Sequence, residues 1–174
     1  MSVEDRIEIE QTLNLYSHLM DSGRNDLVAT RLFSEDATVD AGLEDLVTGR
    51  AAIHDFYTSS PLIPMLGVNV EGVCHMMMNP IIEVSGDWAH SNARVLCFFW
   101  SMEGGAGANR PADSVLLGAY QDDHIRTNEG WRIVHRRVCS FGTSVAAGSA
   151  PPYLAAIVDG VAARLPDWPT MGSE

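Results

Sequence analysis

The chain predicts an α+β fold, with its helices and strands segregated along the sequence. Apolar residues at Ile9, Leu13, Tyr16 and Met20 recur at spacings of four, three and four, which is the stripe of an amphipathic helix. Beyond about residue 72 the period falls to two, over four long segments joined by short polar turns. Helices first and long antiparallel strands after them place the helices on one face of a sheet.

The elements follow in order. Ser2 caps the first helix, with acidic Glu4 and Asp5 in its first turn, and Ser22-Gly23 ends it. Asn25 caps a second short helix, Asp26 to Phe33. Ser34-Glu-Asp36 turns the chain into a strand over Ala37 to Asp40, and Leu46-Val-Thr48 returns beside it. Gly49-Arg50 opens a third helix that reaches about Tyr57. Pro61 to Gly72 reads as an apolar loop with two prolines. The long strands are expected over Val73 to Val84, Trp88 to Ser101, Ser114 to Thr127 and Gly130 to Thr143. Ser85-Gly86-Asp87 and Asn128-Glu129-Gly130 are tight hairpin connections, and Gly104 to Asn109 a flexible one. Residues 1–145 form one domain. Residues 146–174 are a C-terminal extension with a helix over Tyr153 to Leu165, capping the pocket or packing on a neighbouring subunit.

Composition narrows the classes. At 174 residues and 46% hydrophobic content the chain can bury a core without staples and is too apolar for disorder. A net charge of −12 repels nucleic acid and anionic membranes. The acidic N-terminus lacks an export h-region, and no apolar run approaches a membrane span. Cys74, Cys97 and Cys139 sit in strand-like stretches, an odd number without CxxC spacing. They read as reduced thiols of a cytoplasmic protein. There is no GxGxxG, Gly-Lys-Ser/Thr phosphate loop, GxSxG or HExxH. Asp122, Asp123 and His124 alternate across a strand and make a poor chelate, so no metal is expected.

Asp21 and His75 are the residues most able to carry chemistry. Strand alternation puts His75, Met77 and Asn79 on one face and Cys74, Met76 and Met78 on the other. Asp21 lies where the first helix unwinds. A helix packed across the concave face of the sheet brings it to His75, and a carboxylate behind an imidazole makes a general base at neutral pH. The plainer readings are a turn residue for Asp21 and a satisfied core histidine for His75. His135 follows Trp131 and Ile133 at period two and so shares their face, a second candidate for the cavity. Phe98, Phe99 and Trp100 put aromatics on both faces of one strand. Met65, Met76, Met77, Met78 and Met102 either line an adaptable apolar pocket or fill the core.

Seven ordered motifs carry a resemblance. They are Tyr16-Ser-His-Leu-Met-Asp21, Leu32-Phe-Ser-Glu-Asp36-Ala, Thr48-Gly-Arg-Ala-Ala-Ile53, His75-x3-Asn79-Pro-x-Ile-Glu83, Gly86-Asp-x-Ala89, Gly118-x-Tyr120 and Gly130-Trp-Arg-Ile133. Over about residues 5–143 the chain resembles the SnoaL-like branch of the nuclear transport factor 2-like superfamily. That resemblance implies a cone-shaped roll: three N-terminal helices on a strongly curved antiparallel sheet enclosing a pocket, in a homodimer or homotrimer. Asp21 and His75 match the catalytic positions of scytalone dehydratase, bile-acid 7α-dehydratase and dehydrochlorinase-type members, and Tyr16 a pocket tyrosine of the bile-acid enzyme. The chain departs from those dehydratases where Val95-Leu-Cys-Phe-Phe-Trp100 replaces polar groups.

The expected function is therefore a cofactor-independent, dehydratase-type elimination on a small hydrophobic cyclic or aromatic substrate. His75 is the base, Asp21 its orienting partner and Tyr16 a donor. Met77, Asn79, Phe99, Tyr120 and His135 are the candidate substrate contacts. An isomerase or a polyketide-type cyclase can use the same base, and a non-catalytic ligand-binding or assembly subunit is the reading from another class.

Overall fold

The computed structural model describes residues 2–59, 70–101, 112 and 114–145. Most of the 61–72 loop, the Gly104–Asn109 connection, Met65, Met102 and the whole 146–174 extension lie outside the described residues.

Helix α1 (Val3–Asp21) begins with a reciprocal capping box, in which the Ser2 hydroxyl accepts from the Asp5 amide at 3.1 Å and the Asp5 carboxylate accepts from the Ser2 amide at 3.3 Å. Its buried apolar face is Ile9, Leu13 and Tyr16, as expected, with Leu19 rather than Met20 as the fourth member and Met20 only partly buried. Ser22 and Gly23 end the helix, and Gly23 takes φ 72°, a left-handed conformation that favours glycine. The next segment differs from expectation. A 3₁₀ turn, Asn25–Leu27, leads into a short α2 (Val28–Leu32), and Asn25 caps neither. Its side-chain amide instead donates to the Tyr57 carbonyl at 3.2 Å, tying this turn to α3 (Arg50–Thr58).

The six strands are β1 (Phe33–Asp40), β2 (Val47–Thr48), β3 (Val70–Ser85), β4 (Trp88–Ser101), β5 (Ser114–Thr127) and β6 (Gly130–Val145). They form one curved, unclosed sheet in the order β2-β1-β6-β5-β4-β3. Three helices and this sheet make the predicted α+β architecture. One pairing departs from an all-antiparallel sheet: β1 runs parallel to β6. The partners are separated in the chain by α3 and four strands, a crossover long enough to return the chain in the same direction.

Register shifts interrupt the ladders at Met78/Ile81 between β3 and β4, and at Leu117/Gly118 and Asp123/His124 between β5 and β6. Each adds a residue to one strand, which bends it and increases its twist. At Gly118 a Cβ would lie 2.3 Å from the Cys139 carbonyl oxygen, so only glycine fits where the two strands come this close.

The main core lies between the helices and the concave face of the sheet. It joins Tyr16, Leu19, Leu32, Phe33, Ile53 and Tyr57 to Val95, Cys97, Tyr120 and Ile133. A smaller cluster of Ile9, Ile82, Ala89 and Trp131 closes the other end of α1. Asp5 ties that end down through an ion pair with Arg126 and a 3.4 Å bond from the Trp131 indole. The hydrogen bond from Arg126, with smaller contributions from Ser2 and Trp131, lowers the Asp5 carboxyl to about 2.

Candidate active site

The end of α1 crosses the concave face beside β3, and this brings Asp21 to His75. The Asp21 carboxylate accepts three bonds from one residue: two from the His75 amide, at 2.9 and 3.1 Å, and one from His75 Nδ1 at 2.6 Å. The backbone bonds fix the carboxylate. The ring bond then fixes the tautomer, placing the neutral imidazole's proton on Nδ1 and its lone pair on Nε2. Nε2 has no hydrogen-bond partner among the described residues. The His75 side chain is 7% exposed and that of Asp21 26%, so the pair is sheltered but not sealed.

One aromatic ring flanks the imidazole, and two more back that ring. The Tyr16 ring meets His75 edge-on at 5.6 Å between centroids, and Tyr57 and Tyr120 meet Tyr16 at 5.8 and 5.2 Å. The Tyr16 and Tyr120 hydroxyl oxygens are 3.5 Å apart. Burial raises the pKa of both phenols well above the usual tyrosine range, and that of Tyr57 to a lesser degree. All three stay protonated at neutral pH and can donate hydrogen bonds. Cys97, opposite His75 on β4, is pushed up to about 12 by burial and by the nearby Asp21 charge. It is a neutral thiol rather than a nucleophile.

The other sequence candidates divide. Met77 and Phe99 share the face of His75 and pack on the core beside the dyad, and Tyr120 is fully within it. Asn79 does not share that face. It sits in the β3 bulge at φ 50° with its side chain exposed, because the extra residue there breaks the alternation that linked it to His75. His135 is also displaced. Asp123 lies opposite His135 but His124 lies opposite Ile133, so Val134 is an extra residue and the strand switches faces between Ile133 and His135. His135 instead pairs with Thr38 through a 2.7 Å bond to Nδ1 on the outer side of the sheet.

The same bulge turns Arg136 inward. Its guanidinium grips Asp122 through Nε–Oδ1 at 2.8 Å and Nη2–Oδ2 at 2.7 Å, with both side chains fully buried. Burial opposes the charge, but Asp122 overcomes that and holds Arg136 protonated. His124 joins this buried row, its Nε2 2.8 Å from the Ser91 hydroxyl, and desolvation lowers its pKa to about 4. Sequence reasoning missed Arg136, Asp122 and Tyr57 as parts of the site. The period-two spacing of Tyr120, Asp122 and His124 was the available signal for the inward Asp122. Among the described residues no group of three His, Cys, Asp or Glu side chains is placed to hold a metal ion.

Sequence comparison gives the class to which this roll belongs: residues 1–137 match the SnoaL-like domain, and the chain belongs to that family. Among its relatives is the uncharacterized protein Rv2910c of Mycobacterium tuberculosis, 35% identical over 136 residues, covering 77% of this chain and 84% of the relative. Solved structures of the same fold include a hexachlorocyclohexane dehydrochlorinase of type 2, with a TM-score of 0.68, 20% identity and coverage of 86% of this chain and 95% of that one. A candidate scytalone dehydratase from Novosphingobium aromaticivorans superposes with a TM-score of 0.67 at 23% identity, covering 85% and 91%.

Proposed function

We propose that the protein is a cofactor-independent lyase that eliminates water, or another small leaving group, from a small hydrophobic cyclic or aromatic substrate. The observation that carries this reading is the 2.6 Å bond from His75 Nδ1 to the Asp21 carboxylate, with Nε2 left unpartnered among the described residues. In it, His75 Nε2 removes a proton from a carbon next to an activating group. Asp21 stabilises the imidazolium as it forms. Tyr16 protonates the departing oxygen, so that water leaves as the alkene forms, and the imidazolium proton then restores the phenol. Met77, Phe99 and Tyr120 give the site an apolar wall suited to a ring-bearing substrate.

Dehydratase and dehydrochlorinase names among the structural relatives support this class of chemistry. Three free thiols suit a reducing, cytoplasmic setting, and a homodimer or homotrimer is the assembly we expect. Among the described residues no helix is long and apolar enough to cross a membrane.

The test is a panel of cyclic β-hydroxy and β-halo ketones, followed by ultraviolet absorbance of the enone and by deuterium uptake from heavy water. Enone formation that disappears in His75→Gln supports the lyase. Deuterium exchange without elimination moves the reading to an isomerase or a cyclase. Neither activity, in a folded protein that still binds panel members, supports the non-catalytic reading.

A further inference from the structure

The Asp122–Arg136 pair is an expensive object to place in an apolar core. Removing two charges from water costs several kcal/mol per ion in typical proteins, and a well-packed apolar pair is often at least as stable. The pair here is fully buried, and Arg136 Nη1 meets no acceptor in hydrogen-bond geometry. Its stability contribution does not account for its presence. Its surroundings point elsewhere. The guanidinium carbon lies 4.3 Å from the centroid of the Tyr16 ring, 4.6 Å from that of Tyr120 and 5.5 Å from that of Phe33. Tyr16 in turn touches the ring of His75. Asp122, Arg136, Tyr16 and His75 form one contiguous chain from the back of the core to the proposed base.

The charges around Tyr16 are few. Tyr57 and Tyr120 are neutral phenols. His75 faces its edge, with Asp21 on the far side of that imidazole, and Asp122 lies behind the guanidinium. Arg136 is the cation in direct contact. Burial raises the proton affinity of all three phenols, and Arg136 pulls each of them back. A cation against the face of a ring also restricts where that ring can sit.

We propose that Arg136, anchored by Asp122, is a positioning residue for the tyrosine donor: it holds the Tyr16 and Tyr120 rings in place and supplies the fixed positive charge that lets the Tyr16 oxygen carry negative charge during the reaction. This rests on the reading of Tyr16 as the donor. Preorganised charge of this kind acts without reorganisation at the moment of reaction. It explains why an arginine is held at a point where it touches neither solvent nor the proposed base.

The experiment places 3,5-difluorotyrosine at position 16, which brings the phenol ionisation into a measurable range, and follows it by fluorine NMR. The backgrounds are the parent chain, Arg136→Lys, and the double change Asp122→Leu with Arg136→Met. The double change removes both buried charges together, so that neither is left bare and the fold is retained. The ionisation midpoint should rise by about one unit or more in the double variant, as loss of a contacting opposite charge predicts, and stay near the parent in Arg136→Lys. Equal midpoints in all three folded backgrounds overturn the proposal. With a turned-over substrate, the double variant should lower kcat and leave KM nearly unchanged. Because the titration needs no substrate, it separates the two readings. A shifted midpoint with no elimination activity removes the lyase and keeps the Arg136 field, whereas a fixed midpoint in an active lyase removes Arg136 alone.

Discussion

Each face of the sheet presents one histidine bonded through Nδ1 to an aspartate, Asp21 of α1 on the inner face and Asp123 of β5 on the outer. Inside, Asp21 meets His75 Nδ1 at 2.6 Å. Outside, Asp123 meets His90 Nδ1 at 2.8 Å. Their surroundings separate them. The inner side chains are 7% and 26% exposed, the outer ones 46% and 49%. Asp21 is also pinned by two backbone bonds, while the outer pair borders a cleft of about 570 Å³ among Glu83, Trp88 and Val134 that is open to solvent. A hydrogen bond between carboxylate and imidazole is therefore not enough to mark a base. Shelter from water and a fixed carboxylate distinguish the inner pair, because both strengthen the interaction with the imidazolium formed in the reaction.

The largest expected difference between the pairs is in rate. His75→Gln should lower kcat by roughly 10²–10⁴, the usual contribution of a positioned base. His90→Gln should stay within about twofold of the parent. Equal losses at both positions would break the comparison.

Acid sensitivity comes next, and it too belongs to the inner face. His124 is lowered to about 4 by burial, against an ordinary value of 6.5 in the unfolded chain. The unfolded state therefore binds the proton more readily. The associated stability is complete above about pH 6.5 and is lost progressively as pH falls toward 4, by about 3 kcal/mol in all. Urea denaturation between pH 7 and 4 should show this slope, and His124→Gln should flatten it.

A smaller contrast concerns the carboxylates. Asp21→Ala leaves the His75 amide and ring without their acceptor and should cost about 1–3 kcal/mol, whereas Asp123→Ala should cost at most about 1 kcal/mol. Denaturation midpoints of the two variants decide it. The smallest effect is expected at the β3 bulge. Asn79→Gly should leave turnover unchanged and shift stability by less than about 1 kcal/mol, while Asn79→Val, forced into φ 50°, should cost about 1–3 kcal/mol. A strong loss of activity in Asn79→Gly would return that residue to the site.

The parts of the site that were legible depend on local rules. The stripe through Ile9, Leu13 and Tyr16 aims α1 at the sheet, Ser22-Gly23 stops it just after Asp21, and alternation puts His75 and Met77 on one face. Three of the residues that sequence reasoning misplaced or missed lie at or beyond a bulge. Asn79 is itself in the β3 bulge, and His135 and Arg136 follow the extra residue at Val134. A single inserted residue inverts every later side chain on its strand, and nothing in the local composition announces it.

By itself the sequence determined the segregation of helices from strands, the hairpin turns and the family, because periodicity, capping and turn chemistry act over a few neighbouring residues. The tertiary structure alone decided the parallel β1–β6 pairing, the faces of His135 and Arg136, and the burial that separates Asp21–His75 from Asp123–His90. Those outcomes depend on which distant strands pair and in what register, and on how much water the packed layers leave beside each polar group.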